Sequence, residues 1–188
     1  MRTHRLLVLH QSIEEVLHEP GCPLCRFLKD FQTIHLQEDS ANDIHHLCNF
    51  HMWGLAAVQD ASTAAEVFIR LVNDPAPVPN GKLDCDVCRK VEAEEDLRIR
   101  ELVTLLGKPQ TLQWLRTEAV FCIPHATKLR QKVSLILAPR IDTIITNYRE
   151  HLNDELLHLR DDPEPGRSGW GALGRVAEFL AAQRGLRA

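Results

Sequence analysis

The chain has 188 residues, 44% of them apolar and 26% charged, a composition that excludes disorder throughout and fits one large or two small globular domains. Its 22 Lys and Arg against 26 Asp and Glu give a formal charge of −4, the wrong sign for a protein held to nucleic acid by phosphate contacts. No apolar run reaches the roughly 18 residues that a membrane-spanning helix needs, and residues 1–20 carry His and Glu where an export signal is continuously apolar, so the sequence predicts a cytoplasmic protein without a membrane span.

Taken in chain order, Leu6, Leu9, Ile13, Val16 and Leu17 recur at helical spacing, and Glu19-Pro20-Gly21 stops that helix just before Cys22 and Cys25. Phe27, Leu28, Phe31 and Ile34 predict a second, short helix, and the polar residues around Asp39 to Asn42 a loop leading to Cys48 and His51. Trp53, Ala57, Ala61, Ala64, Ala65, Phe68 and Val72 form one stripe of a third helix. Pro75, Pro77 and Pro79 then favour extended backbone, which makes 75–81 a linker between a half at 1–74 and a half at 82–162.

Beyond Cys85 and Cys88, the second half repeats this order. Val91, Ile99, Leu102, Val103 and Leu106 give a helix stopped at Gly107-Lys108-Pro109, and Leu112, Leu115 and Ala119 give a short one leading to Cys122 and His125. Leu129, Val133, Ile136 and Leu137 run helically to Pro139, a kink or a break, and Ile141, Ile144, Ile145, Tyr148, Leu152 and Leu156 continue to about Asp162. Residues 163–188 hold a flexible segment and a final amphipathic helix through Trp170, Leu173, Val176, Ala177 and Leu180, with Ser168 as its N-cap. No segment has the period of a strand, so the fold predicted is all-α, internally duplicated, with one metal site per half.

The cysteines carry the chemistry. Cys22-x-x-Cys25 is followed by Cys48-x-x-His51, and Cys85-x-x-Cys88 by Cys122-x-x-His125, so the pattern occurs twice and uses all 6 cysteines. Three disulfides would leave the matched histidines unexplained, and they suit an oxidising compartment rather than the predicted one. A pair spaced by two residues turns both donors toward one ion, and a second pair from distant sequence completes the tetrahedron that zinc accepts from thiolate and imidazole. In chain order the expected sites are Cys22, Cys25, Cys48 and His51, then Cys85, Cys88, Cys122 and His125, each with one Zn(2+). Two 4Fe-4S clusters are the alternative, since mixed Cys and His ligation also holds iron–sulfur centres. His45 and His46 stand near enough to Cys48 to compete with His51. The acidic run Glu92, Glu94, Glu95 and Asp96 reads as a solvated helix face.

Gly21-Cys22-Pro23-Leu24-Cys25, Leu47-Cys48-Asn49-Phe50-His51, Cys85-Asp86-Val87-Cys88 and Phe121-Cys122-Ile123-Pro124-His125 together resemble the pattern of a family of uncharacterised bacterial helical proteins with a doubled half-site. The resemblance runs from the first helix to about residue 160. It implies two metal sites and no known activity. The family pattern often has Gly two positions before the third cysteine of each set, where His46 and Val120 stand here.

No Gly-rich phosphate loop, nucleophile elbow or paired-carboxylate motif is present, and four donors per ion leave no open coordination position for a substrate. The expectation is a non-enzymatic structural protein that meets another protein through its helical surface or its last helix. An iron–sulfur electron carrier or redox sensor is the competing class.

Overall fold

The computed structural model describes residues 12–38, 46–73, 85–117, 119–161 and 168–182. Among them every regular element is helical: a 3-10 turn at Ile13–Val16, then α1 (Pro23–Glu38), α2 (Asn49–Val58), α3 (Ala61–Asn73), α4 (Asp86–Leu105), α5 (Pro109–Thr117), α6 (Ile123–Lys132), α7 (Ala138–Asp161) and α8 (Ser168–Ala181). The all-α expectation holds. Leu6, Leu9, the loop at Asp39 to Asn42 and the 75–81 linker lie outside the described residues.

Two predicted helices are in fact pairs. The stripe from Trp53 to Val72 is broken after Val58, because Asp60 caps a new helix: its carboxylate accepts the backbone N–H groups of Ser62 and Thr63 and the Thr63 hydroxyl. Trp53 and Val72, placed on the buried stripe by periodicity, stand 72% and 76% exposed. Likewise the run through Leu137 ends at Lys132, and Pro139 sits in the first turn of α7, where its missing N–H costs nothing. Leu135 and Ile136 are consequently exposed on the connecting turn. The first predicted helix is represented, in its described part, by the 3-10 turn alone, capped by the Ser12 hydroxyl, which accepts from the Glu14 N–H at 3.1 Å.

Contacts group the chain into two compact units, Met1–Gln11 with Leu28–Leu97 and Ser12–Phe27 with Arg98–Ala188. The division falls within α1 and α4, and so follows different bounds from the halves at 1–74 and 82–162. In the first unit α2 packs on α3, and Leu28, Leu36, Leu55, Val67 and Val91 are buried. A Cβ at Gly54 would stand 3.1 Å from Leu36 Cδ1, so the glycine lets α2 approach that side chain closely. In the second unit α6, α7 and α8 pack on one another, which makes the last helix a bundle element. Phe121 meets Trp114 edge-on at 5.9 Å among buried Leu102, Leu106, Leu129 and Ile141. Glu101 ties the 3-10 turn to α4, accepting from the Ser12 hydroxyl at 2.5 Å, from the Ile13 N–H at 3.2 Å and from Arg98 at 2.6 Å.

Candidate metal centres

All four half-sites are built the same way, at helix N-termini. Cys48 and Cys122 are the N-caps of α2 and α6, with φ, ψ of −70°, 160° and −71°, 155°, and each carbonyl accepts the N–H four residues on at 2.9 Å. Neither thiol makes a capping hydrogen bond. Cys22 and Cys85 stand in the same position before α1 and α4, their carbonyls accepting from Arg26 and Arg89 at 3.1 Å. The partner three residues on, Cys25, Cys88, His51 or His125, falls in the first turn on the same face, which is what the spacing achieves. The positive end of each helix dipole there favours thiolate. Gly21, at φ +93°, turns the chain into Cys22, a conformation that L side chains rarely adopt.

The half-sites do not pair in chain order. Cys22 and Cys25 meet Cys122 and His125, whereas Cys48 and His51 meet Cys85 and Cys88. The expected sets, one within 1–74 and one within 82–162, are therefore corrected to two nested pairings, first half-site with fourth and second with third, both made across the prolines. All eight expected residues take part, and each cluster lies inside a single compact unit. A tetrahedron closes on whichever half-sites the helix packing brings face to face, and sequence separation does not enter that choice.

In the Cys22 cluster, His125 Nδ1 stands 3.5 Å from Cys22 Sγ, 3.3 Å from Cys25 Sγ and 3.1 Å from Cys122 Sγ, with Cys25 and Cys122 3.5 Å apart. In the Cys48 cluster, His51 Nδ1 stands 3.4 Å from Cys48 Sγ and 3.3 Å from both Cys85 and Cys88 Sγ, with Cys48 and Cys88 3.8 Å apart. Within each cluster the four donor atoms lie within 4.8 Å of one another. His46 is not among them. Its backbone instead clamps the loop to α4, donating to Asp86 Oδ2 at 2.9 Å and accepting from the Asp86 N–H at 3.0 Å, which sets Cys48 beside Cys85.

Gln32, on α1, escaped the sequence reading. It is 7% exposed, and its Oε1 lies 3.1 Å from His51 Nε2, so that nitrogen carries the proton and Nδ1 is left to face the thiols. No spacing rule points to a glutamine 19 residues before the histidine it orients. Glu95, assigned to a solvated face, is buried, whereas Glu92 and Asp96 are exposed as expected. His18, His151 and His158 are exposed, outside both clusters.

Packing six thiols into two clusters disturbs their acidity. Burial raises Cys85 above the ordinary thiol value of 9.0, although backbone N–H groups of Cys48 and Cys88 pull it the other way. Burial and then the charges of Cys85 and Cys48 raise Cys88 further. Hydrogen bonding to Cys122 and Cys22, then burial, hold a proton firmly on Cys25. Burial opposes ionisation of Cys22 too, but the Cys122 and Cys25 hydrogen bonds and the His125 charge outweigh it, and its thiol lies well below the ordinary value. Each cluster thus resists ionising all its thiols together, a cost that a bound cation would remove.

No family model, curated protein or solved structure matches the chain. No helix among the described residues is long and apolar enough to cross a membrane.

Proposed function

We propose that the protein is a non-enzymatic structural metalloprotein holding two zinc ions, one on Cys22, Cys25, Cys122 and His125 and one on Cys48, His51, Cys85 and Cys88. The carrying observation is the spacing of the donors. Zinc–sulfur bonds of about 2.3 Å and zinc–nitrogen bonds of about 2.0–2.1 Å in a tetrahedron place two sulfurs about 3.8 Å apart and a sulfur and a nitrogen about 3.5 Å apart. Here the Cys25 and Cys122 sulfurs stand 3.5 Å apart and those of Cys48 and Cys88 3.8 Å, the sulfur–nitrogen separations are 3.1–3.5 Å, and all donors of a cluster lie within 4.8 Å of one another. An iron–sulfur cluster distributes its ligands over several irons with sulfides between them, and needs donors spread wider than four atoms sharing one ion.

Each ion ties together two helix N-termini from distant sequence, a staple well suited to units with few aromatic residues. A closed set of four donors supports a structural rather than a catalytic role, since catalytic zinc keeps a position for water or substrate. The exposed Trp53, Ile69 and Val72 on α2 and α3 favour contact with another protein through the helical surface. Elemental analysis with an absorption spectrum of protein purified without air tests the reading. Two zinc ions per chain and no visible absorption are expected; a brown protein containing iron and sulfide would replace it with the electron-carrier reading.

A further inference from the structure

The two clusters differ in one respect. All four residues of the Cys48 cluster are buried, while in the other cluster Cys22 alone is half-buried and its three companions are buried. A cavity of about 60 Å³ lies against Cys22, Cys25 and Cys122, walled by Tyr148, Arg175 and Phe179. Since one water occupies about 10–15 Å³ measured in this way, the space holds a solute of a few heavy atoms and is smaller than a bulky one. Phe179 meets Tyr148 edge-on at 5.4 Å, and the end of α8 closes the inner wall, with Ala182 packed against Cys25 and Cys122. Oxidation of cysteine follows thiolate character and access. An ion holds all three sulfurs as thiolates, so access decides between them.

We propose that Cys22 is an oxidation site: a small hydroperoxide reaches its sulfur through this cavity and converts the Cys22 cluster to a disulfide form that releases its ion, while the Cys48 cluster keeps its own. The inference rests on the zinc reading above. The Cys22 sulfur attacks one peroxide oxygen and the O–O bond breaks. Sulfur is oxidised by two electrons to a sulfenic acid, and the other oxygen takes a proton and leaves as water. The Cys25 thiolate then forms the S–S bond and expels the sulfenic oxygen as hydroxide, which a second proton turns to water. Two thiolates, one peroxide and two protons become one disulfide and two waters. Cys122 and His125 alone do not hold zinc, because half the tetrahedron is gone.

The test uses the full-length, zinc-loaded chain. Hydrogen peroxide is added in increments, released zinc is followed with a chromogenic chelator, and sulfenic acid is trapped with dimedone and mapped by peptide mass spectrometry. Expected are release of one ion of the two, dimedone on Cys22, and a Cys22–Cys25 disulfide when the trap is omitted. A bulky alkyl hydroperoxide should release that ion at least about tenfold more slowly. Release of both ions at one rate, or first modification at another thiol, overturns the proposal and leaves the zinc reading standing. A chain without zinc before any peroxide is added overturns both.

Discussion

At the scale of single residues, the histidines are the most constrained members of each cluster, because only one ring nitrogen faces the thiols. Gln32 fixes that choice for His51 by accepting its Nε2 proton at 3.1 Å. Gln32→Leu should therefore weaken zinc at the Cys48 cluster by about 10–100-fold, the usual effect of removing a ligand's hydrogen-bond partner, and leave the Cys22 cluster unaffected. Competition with a chelator of known affinity, read as two separate steps, checks this; equal weakening at both clusters would show a general loss of fold. The thiols give a second prediction, about pH. In metal-free protein Cys25, Cys85 and Cys88 hold their protons above the ordinary thiol value of 9.0. The folded state then binds more protons than the unfolded one, so stability present below pH 9.0 should fall as pH rises past it. Zinc binding releases those protons, so the zinc-loaded protein should be stabilised over neutral to alkaline pH where its apo form is not. Thermal melts of the two forms from pH 7 to 10 should diverge, and parallel curves would contradict the assignment.

At the scale of elements, the helices start at the cysteines, earlier than the apolar period through Phe27 and Val91 indicates. A donor at the N-cap and another three residues on share one face, and Cys22, Cys48, Cys85 and Cys122 all sit where that rule puts them. The turn entering α1 tests how strictly the backbone is specified. Gly21 has φ +93° with nothing within 4 Å of where a Cβ would stand, so any penalty there comes from the backbone alone. Gly21→Ala should cost at least about 1 kcal/mol, and Gly21→Asn less, because asparagine tolerates positive φ better. Urea unfolding of the zinc-loaded variants gives the order, and an alanine variant as stable as the parent would mean that the turn relaxes freely. Two breaks were less legible. Asp60-Ala61-Ser62-Thr63 is a capping signal, but the apolar period of Trp53 to Val72 runs through it unbroken, and periodicity cannot register a change of helix direction. Pro139 announced a break without saying whether it ends one helix or opens the next, and the structure places it in the first turn of α7.

At the scale of the whole molecule, the duplicated pattern suggested two successive metal-binding halves, and the helices instead join the second half-site to the third and the first to the fourth. Nothing in the spacing excludes this: each half-site carries two donors at a helix start, and any two of the four would satisfy one ion. The choice was made by packing, through contacts such as the two hydrogen bonds between His46 and Asp86 that bring Cys48 against Cys85. All eight donors are therefore legible in the spacing, and their partners are not. The pairing can be tested without isolating a fragment, by loading full-length protein with cadmium-113 and recording its two resonances. Cys88→Ser should shift or abolish the resonance that Cys48→Ser affects, and Cys122→Ser the resonance that Cys25→Ser affects, because those residues share an ion. Successive halves would instead couple Cys48 with Cys25 and Cys88 with Cys122. Structural zinc contributes on the order of 10–16 kcal/mol per site, as much as the roughly 5–15 kcal/mol net stability of a domain, so the loss at each cluster should also lower the melting temperature of its own compact unit. Two calorimetric transitions, each sensitive to one cluster only, would agree with the division of the chain into Leu28–Leu97 with Met1–Gln11 and Ser12–Phe27 with Arg98–Ala188. A variant of Cys48 that silences the resonance shared with Cys25 would restore the arrangement of successive halves and remove the nested one.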